Sequence, residues 1–100
     1  MENYKLLIFP SAEQDLQDIV DYVNGLSPDA AIKLYDEIVK KIGSLAQMPL
    51  RRPLIKNPAL KAKGYRVLVV NSFLVFFVVG ENTVEIRRIL YSRRQYEFLL

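Results

Sequence analysis

Tyr65-Arg66-Val67-Leu68-Val69-Val70-Asn71-Ser72-Phe73-Leu74-Val75-Phe76-Phe77-Val78-Val79 reads as a β-hairpin: two runs of β-branched and aromatic residues joined by Asn71-Ser72, a pair suited to a tight turn. Downstream, Gly80-Glu81-Asn82 makes a second turn and Thr83 to Tyr91 a third strand, so the C-terminal half predicts a three-strand antiparallel meander. Upstream, Arg51 to Lys63 is a basic connection interrupted by Pro53 and Pro58. Before it lie two helical stripes. Ala12, Leu16, Ile19/Val20 and Val23 recur at helical spacing behind Ser11, which is placed to cap with Gln14 three residues on; Gly25 is the expected stop. Ser27-Pro28 opens a second helix with Ala31, Leu34/Tyr35, Ile38, Ile42 and Leu45 on one face. The short link between them predicts an antiparallel helical hairpin, whose apolar surface needs a sheet beneath it. Tyr4 to Phe9 is a short strand ended by Pro10, and it is expected to join the sheet so that its backbone polar groups are satisfied.

The expected fold is therefore α+β: an N-terminal strand, then an antiparallel two-helix hairpin packed on a mainly antiparallel sheet that the meander completes. One hundred residues, 51% of them apolar, make a single domain over 1–100. With neither cysteine nor histidine there is no disulfide framework, no thiolate or imidazole metal site and no Cys–His or Ser–His–Asp nucleophile system. No cofactor is expected. The longest strongly apolar run, Phe73 to Val79, is too short to cross a bilayer, and no secretion pattern precedes Tyr4, so the expectation is a cytoplasmic protein without membrane contact.

Charge is unevenly spread. Residues 51–100 hold 10 of the 14 Lys/Arg and 3 of the 11 Asp/Glu, whereas residues 1–50 hold 4 basic and 8 acidic residues. A basic half beside an acidic half predicts a polarised surface that attracts anions on one side, and nucleic acid is the obvious polyanion. The densest part is Arg87-Arg88-Ile89-Leu90-Tyr91-Ser92-Arg93-Arg94-Gln95-Tyr96. RNA cleavage through the ribose 2′-hydroxyl needs a base, an acid and cations around the phosphoryl oxygens, and guanidinium forks supply the cations. Candidates for that chemistry are Arg66, Arg93 and Arg94 with Tyr91 and Tyr96 as proton carriers. Arg51, Arg52, Lys56, Lys61, Lys63 and Arg88 are candidate nucleic-acid contacts. Each has a plainer reading as a solvated surface charge. The last strand also carries an anomaly: Val84, Ile86 and Leu90 share their parity with Arg88, which would aim that arginine at the helices unless a bulge shifts the phase or a carboxylate meets it.

The chain resembles the RelE/ParE toxin superfamily of bacterial type II toxin–antitoxin, or plasmid stabilisation, modules. The resemblance rests on Pro10-Ser11-Ala12-Glu13-Gln14-Asp15-Leu16, Leu45-Ala46-Gln47-Met48-Pro49, Gly64-Tyr65-Arg66-Val67-Leu68-Val69-Val70 and Ile86 through Tyr96, in that order and spacing. It implies two helices on one side of an antiparallel sheet whose other side is partly open. It also implies a cognate antitoxin that wraps the functional face and through which higher assembly can form. The RelE-like branch implies a ribosome-dependent mRNA endonuclease that inhibits translation, with Arg66, Arg93 or Arg94, and Tyr96 matching its basic and C-terminal positions, and with Lys61 or Lys63 as weaker matches. Tyr91 stands where many relatives have histidine, which removes an easy base at neutral pH. The ParE-like branch implies DNA gyrase as the target, inhibited without nuclease chemistry, and an inactive toxin-like binding protein is a further alternative.

Overall fold

A computed structural model describes residues 3–100. The elements run β1 (Lys5–Ile8), α1 (Pro10–Leu26), α2 (Pro28–Ser44), α3 (Pro58–Ala62), β2 (Tyr65–Val70), β3 (Phe73–Val79) and β4 (Thr83–Tyr91), with 3-10 turns at Pro49–Arg51 and Glu97–Leu99. The four strands form one sheet in the order β1-β4-β3-β2. β2, β3 and β4 are the expected antiparallel meander, while β1 runs parallel to β4, with Lys5 opposite Thr83 and Ile8 opposite Ile86.

The helices begin and end differently from the sequence expectation. Pro10 occupies the first turn of α1 and Phe9 is its N-cap without a side-chain bond, so Ser11 lies inside the helix rather than capping it. A proline at this position has no N–H to leave unsatisfied, and it displaces the cap by two residues. Gly25 does not stop the helix, which runs to Leu26. Ser27 then serves both helices: its N–H donates to the Val23 carbonyl at 2.8 Å, and its hydroxyl accepts from Ala30 N–H at 3.3 Å to cap α2.

Two apolar layers sandwich the sheet. On one face, Ala12, Ile38, Ile42 and Leu45 of the hairpin side meet Leu68, Val70, Val75, Phe77, Val84, Ile86 and Ile89. On the other, Phe76, Tyr65 and Leu90 are covered by Ile55 and Leu60, with Tyr96, Leu99 and Leu100 packed alongside. Phe76 and Phe77 are both fully buried, one on each face, and each contributes about 1.5–3 kcal/mol by leaving water. The second face is thus less open than expected. It is roofed by the connection with α3 and by the C-terminal tail, which leave between them a cleft of about 460 Å³ lined by Leu54, Lys56, Val67, Leu74, Phe76 and Tyr96. Asn57 caps α3 through its side-chain oxygen, 3.2 Å from Leu60 N–H, and Gly64, at φ +82°, makes the left-handed turn into β2.

Candidate functional site

The arginine-rich end of β4 is shaped by a bulge. Phe76 lies opposite Arg88 and Phe77 opposite Ile86, leaving Arg87 as the additional residue. The bulge reverses the strand's phase: Val84 and Ile86 face the helices before it, Ile89 after it, and Leu90 joins the opposite layer. Both resolutions of the parity anomaly therefore occur together, because Arg88 also finds a carboxylate.

That carboxylate is Asp15. β1 stops pairing at Ile86, where Phe9 N–H donates to the Ile86 carbonyl at 2.9 Å and Pro10 starts α1. Beyond that point β4 has lost its neighbour. Asp15, on the second turn of α1, takes the place of a partner strand: it accepts the Ile89 N–H at 2.9 Å and both Arg88 Nε and Nη2 at 2.7 Å. The bond to Asp15 raises the Arg88 pKa above its ordinary value against a smaller opposing effect of burial.

Arg87 is held separately. Nε and Nη2 donate to Glu85 Oε1 at 3.0 and 2.6 Å, and the guanidinium lies 4.6 Å from the centre of the Phe9 ring. Its Nη1 reaches the Tyr65 hydroxyl at 3.5 Å, and that hydroxyl donates to the Leu100 carbonyl at 3.2 Å. Burial, the largest single influence, lowers the Arg87 pKa; the Glu85 bond and the attraction to Tyr65 and Glu85 together outweigh it, so the net shift is upward. One residue thus ties the bulge to the start of α1, to β2 and to the tail.

The remaining sequence candidates do not converge. Arg66 shares its parity with Leu68 and Val70 on the helix face, and its Nη1 donates to the Arg52 carbonyl at 2.7 Å, fastening the connection to β2. Tyr96 packs on Phe76, ring centres 4.8 Å apart, on the opposite face of the sheet. Tyr91 lies edge-on to Phe73 at 5.8 Å, on the helix side. The two tyrosines are therefore separated by the sheet. Arg93 and Arg94 are exposed in the turn after β4, anchored where Ser92 N–H meets the Ser72 carbonyl and Arg94 N–H the Tyr91 carbonyl. That turn lies at the β2–β3 hairpin tip, and Arg66 is four residues down β2 from Val70, roughly 13 Å at the usual strand rise. Arg51, Lys56, Lys61 and Lys63 are exposed on the connection and α3, and Arg52 is half-buried. Asp15 and Phe9 were not legible as partners, since nothing local in the sequence aims them at β4, whereas Glu85, two residues from Arg87 on the same strand, shares its parity and could have been named from the alternation.

A third feature is apolar. Between the hairpin and β1 runs a groove of about 550 Å³ where Leu6, Ile8, Leu16, Val20, Tyr35 and Val39 meet. Ile8, Tyr35 and Val39 are each more than 40% exposed, which is unusual for side chains so close together. Among the described residues, no helix is long and apolar enough to cross a membrane.

A helical hairpin on a four-stranded sheet, with the first strand parallel to an arginine-rich last one, defines the class: a toxin fold of the RelE/ParE type. The family described as ParE toxin of type II toxin–antitoxin system, parDE, matches residues 6–96, and the chain belongs to it. Among solved structures, the chain is similar to one from the chromosomal ParDE toxin–antitoxin system of P. aeruginosa, with a TM-score of 0.73 and 27% identity over 88% of this chain and 95% of that one. It shares its fold with a chain of the RelBE2 toxin–antitoxin complex from Mycobacterium tuberculosis, with a TM-score of 0.62 and 22% identity over 91% of this chain and 93% of that one. No curated protein matches the sequence.

Proposed function

We infer that this toxin acts as a ParE-type inhibitor of DNA gyrase, by binding rather than by cutting RNA. The observation that carries the reading is the family match across residues 6–96. The geometry agrees with it. Proton transfer and phosphoryl stabilisation need their groups within hydrogen-bond reach of one reacting centre. Here Arg66 and Tyr96 lie on opposite faces of the sheet, Arg88 is engaged by Asp15, and Tyr91 lies on the face away from Tyr96, edge-on to Phe73. A binding inhibitor has no such requirement; it needs a rigid surface with exposed anchors.

The antitoxin belongs to the same reading. The solved relatives come from a ParDE system and a RelBE2 toxin–antitoxin complex, which supports a cognate antitoxin for this chain. The groove beside β1 suits an amphipathic segment whose apolar side chains fill the space between Ile8, Val20 and Val39. Purified toxin added to gyrase and relaxed plasmid should block supercoiling or accumulate cleaved DNA, whereas the same protein on programmed ribosomes should leave the message uncut. Message cleavage mapped to the ribosomal A site, with gyrase unaffected, would overturn the reading.

A further inference from the structure

The charge asymmetry sharpens once the chain is folded. From Ile38 to Gly80 there are eight Lys/Arg and no Asp/Glu. This run makes the second half of α2, the connection with α3, and β2 and β3, and β2 is the outer edge of the sheet. The connection is laid along that edge by three contacts: Ile55 N–H to the Tyr65 carbonyl at 3.0 Å, the Leu54–Arg66 bridge, and Arg66 to the Arg52 carbonyl. Arg51, Lys56, Lys61 and Lys63 are exposed upon it. Among the described residues the ion pairs are those of Arg87 and Arg88, so none of the rim cations is in an ion pair, although Glu97 lines the cleft beside Lys56. The opposing charge lies on α1, the helix packed on β4, which carries Glu13, Asp15, Asp18 and Asp21.

What is missing from the rim is as informative as what is present. The large exposed aromatic side chains, Tyr22, Tyr35, Tyr91 and Phe98, all fall outside the acid-free run, and Tyr96, which lines the cleft beside Lys56, has its ring packed on Phe76. Single-stranded nucleic acid is held by stacking bases on such rings, whereas the backbone of a duplex needs only cations and donors. We propose that the rim of Arg51, Arg52, Lys56, Lys61 and Lys63 is a phosphate-backbone contact for duplex DNA, without base readout. It deepens the gyrase reading and rests on it for which DNA is engaged: the segment held by the enzyme, which the toxin touches while bound to the protein.

Salt dependence gives the contact a measurable size. The four exposed cations, Arg51, Lys56, Lys61 and Lys63, each meeting one phosphate correspond to a slope of about −3.6 in log affinity against log salt, or roughly a 150-fold loss between 50 and 200 mM salt. The test uses the full chain, a fluorescein-labelled duplex of about 30 base pairs and the matching single-stranded RNA, read by anisotropy across that salt range, alongside gyrase supercoiling on the same samples. K56Q/K61Q/K63Q, whose side chains are exposed, should keep its melting temperature, while its slope shrinks by about 2.7 and the loss over the same range falls to roughly 3–4-fold. Its gyrase inhibition should weaken in parallel.

Absence of duplex binding by the native protein at low salt overturns the proposal, as does an unchanged slope in the folded variant or tighter binding of the single-stranded RNA. Binding to poly-glutamate in place of the duplex also overturns it and marks the rim as a seat for an acidic protein segment. Gyrase inhibition that persists through any of these results leaves the gyrase reading standing without the DNA contact. Duplex binding without gyrase inhibition keeps the rim and removes that reading.

Discussion

Replacing Asp15 with alanine removes one side chain and strands two groups. Arg88 loses a two-pronged carboxylate, and Ile89 N–H loses the acceptor that stands in for a neighbouring strand. The Arg88 and Asp15 side chains are 20% and 11% exposed, so water partly rescues the cation and the full buried-pair loss of about 3–5 kcal/mol is reduced to roughly 2–3. The unpaired N–H adds about 1 kcal/mol or slightly more. The expected total, about 3–4 kcal/mol, lowers the melting temperature of a domain this size by some 12–25 °C. R88M removes only the pair and should lose about 2 kcal/mol. Replacing both partners with apolar side chains commonly restores a buried pair to near neutrality, but here D15A/R88M should remain about 1–2 kcal/mol below the native protein, because Ile89 N–H is still orphaned. Urea unfolding of the four proteins measures this cycle. Additive losses in D15A and R88M, or a melting temperature within about 2 °C of native for D15A, would refute the assignment of Asp15 as the acceptor that closes the edge of β4.

Arg87→Met loses Glu85, Tyr65 and the guanidinium over Phe9; with about a third of each ionic side chain exposed, the expected loss is roughly 1 kcal/mol, measured by urea unfolding. Asn71→Val places a β-branched residue at φ 55° and removes the 2.8 Å bond to Glu37, so about 2 kcal/mol should be lost, whereas Asn71→Gly should lose less than half of that. Ser27→Ala deletes the cap of α2 and should lower stability by about 1 kcal/mol, with amide exchange accelerating in the first turn of that helix.

The hairpin Tyr65–Val79 and the meander were legible because their signals are local: β-branched runs, a turn pair, and an Asn that tolerates a left-handed conformation. The two helices were legible from their apolar period. Their ends were less so, since Pro10 and Ser11 compete for the start of α1 and only the backbone path decides between them. α3 is too short to display a period, although Asn57-Pro58 is a cap-plus-proline start that could have marked it. The bulge was half legible, as a break in parity at Arg88. The separation of Arg66 from Tyr96 by the sheet was not, because which face a strand residue takes and which partner its strand meets are long-range outcomes. Asp15 is the clearest case: its partners lie 73 and 74 residues away.

That separation bears on when the molecule comes into being. β1 has no partner other than β4 in the sheet, and the α1 carboxylate has nothing to grip until the bulge exists. Closing a loop of this length carries an entropic penalty that grows as the logarithm of chain length, on the order of 4 kcal/mol, and no early segment can offset it alone. On the ribosome, the N-terminal strand and the foot of the first helix must therefore wait for Thr83–Tyr91 to be synthesised. A chain interrupted before its last strand would emerge without the element on which β1 and the first helix are seated.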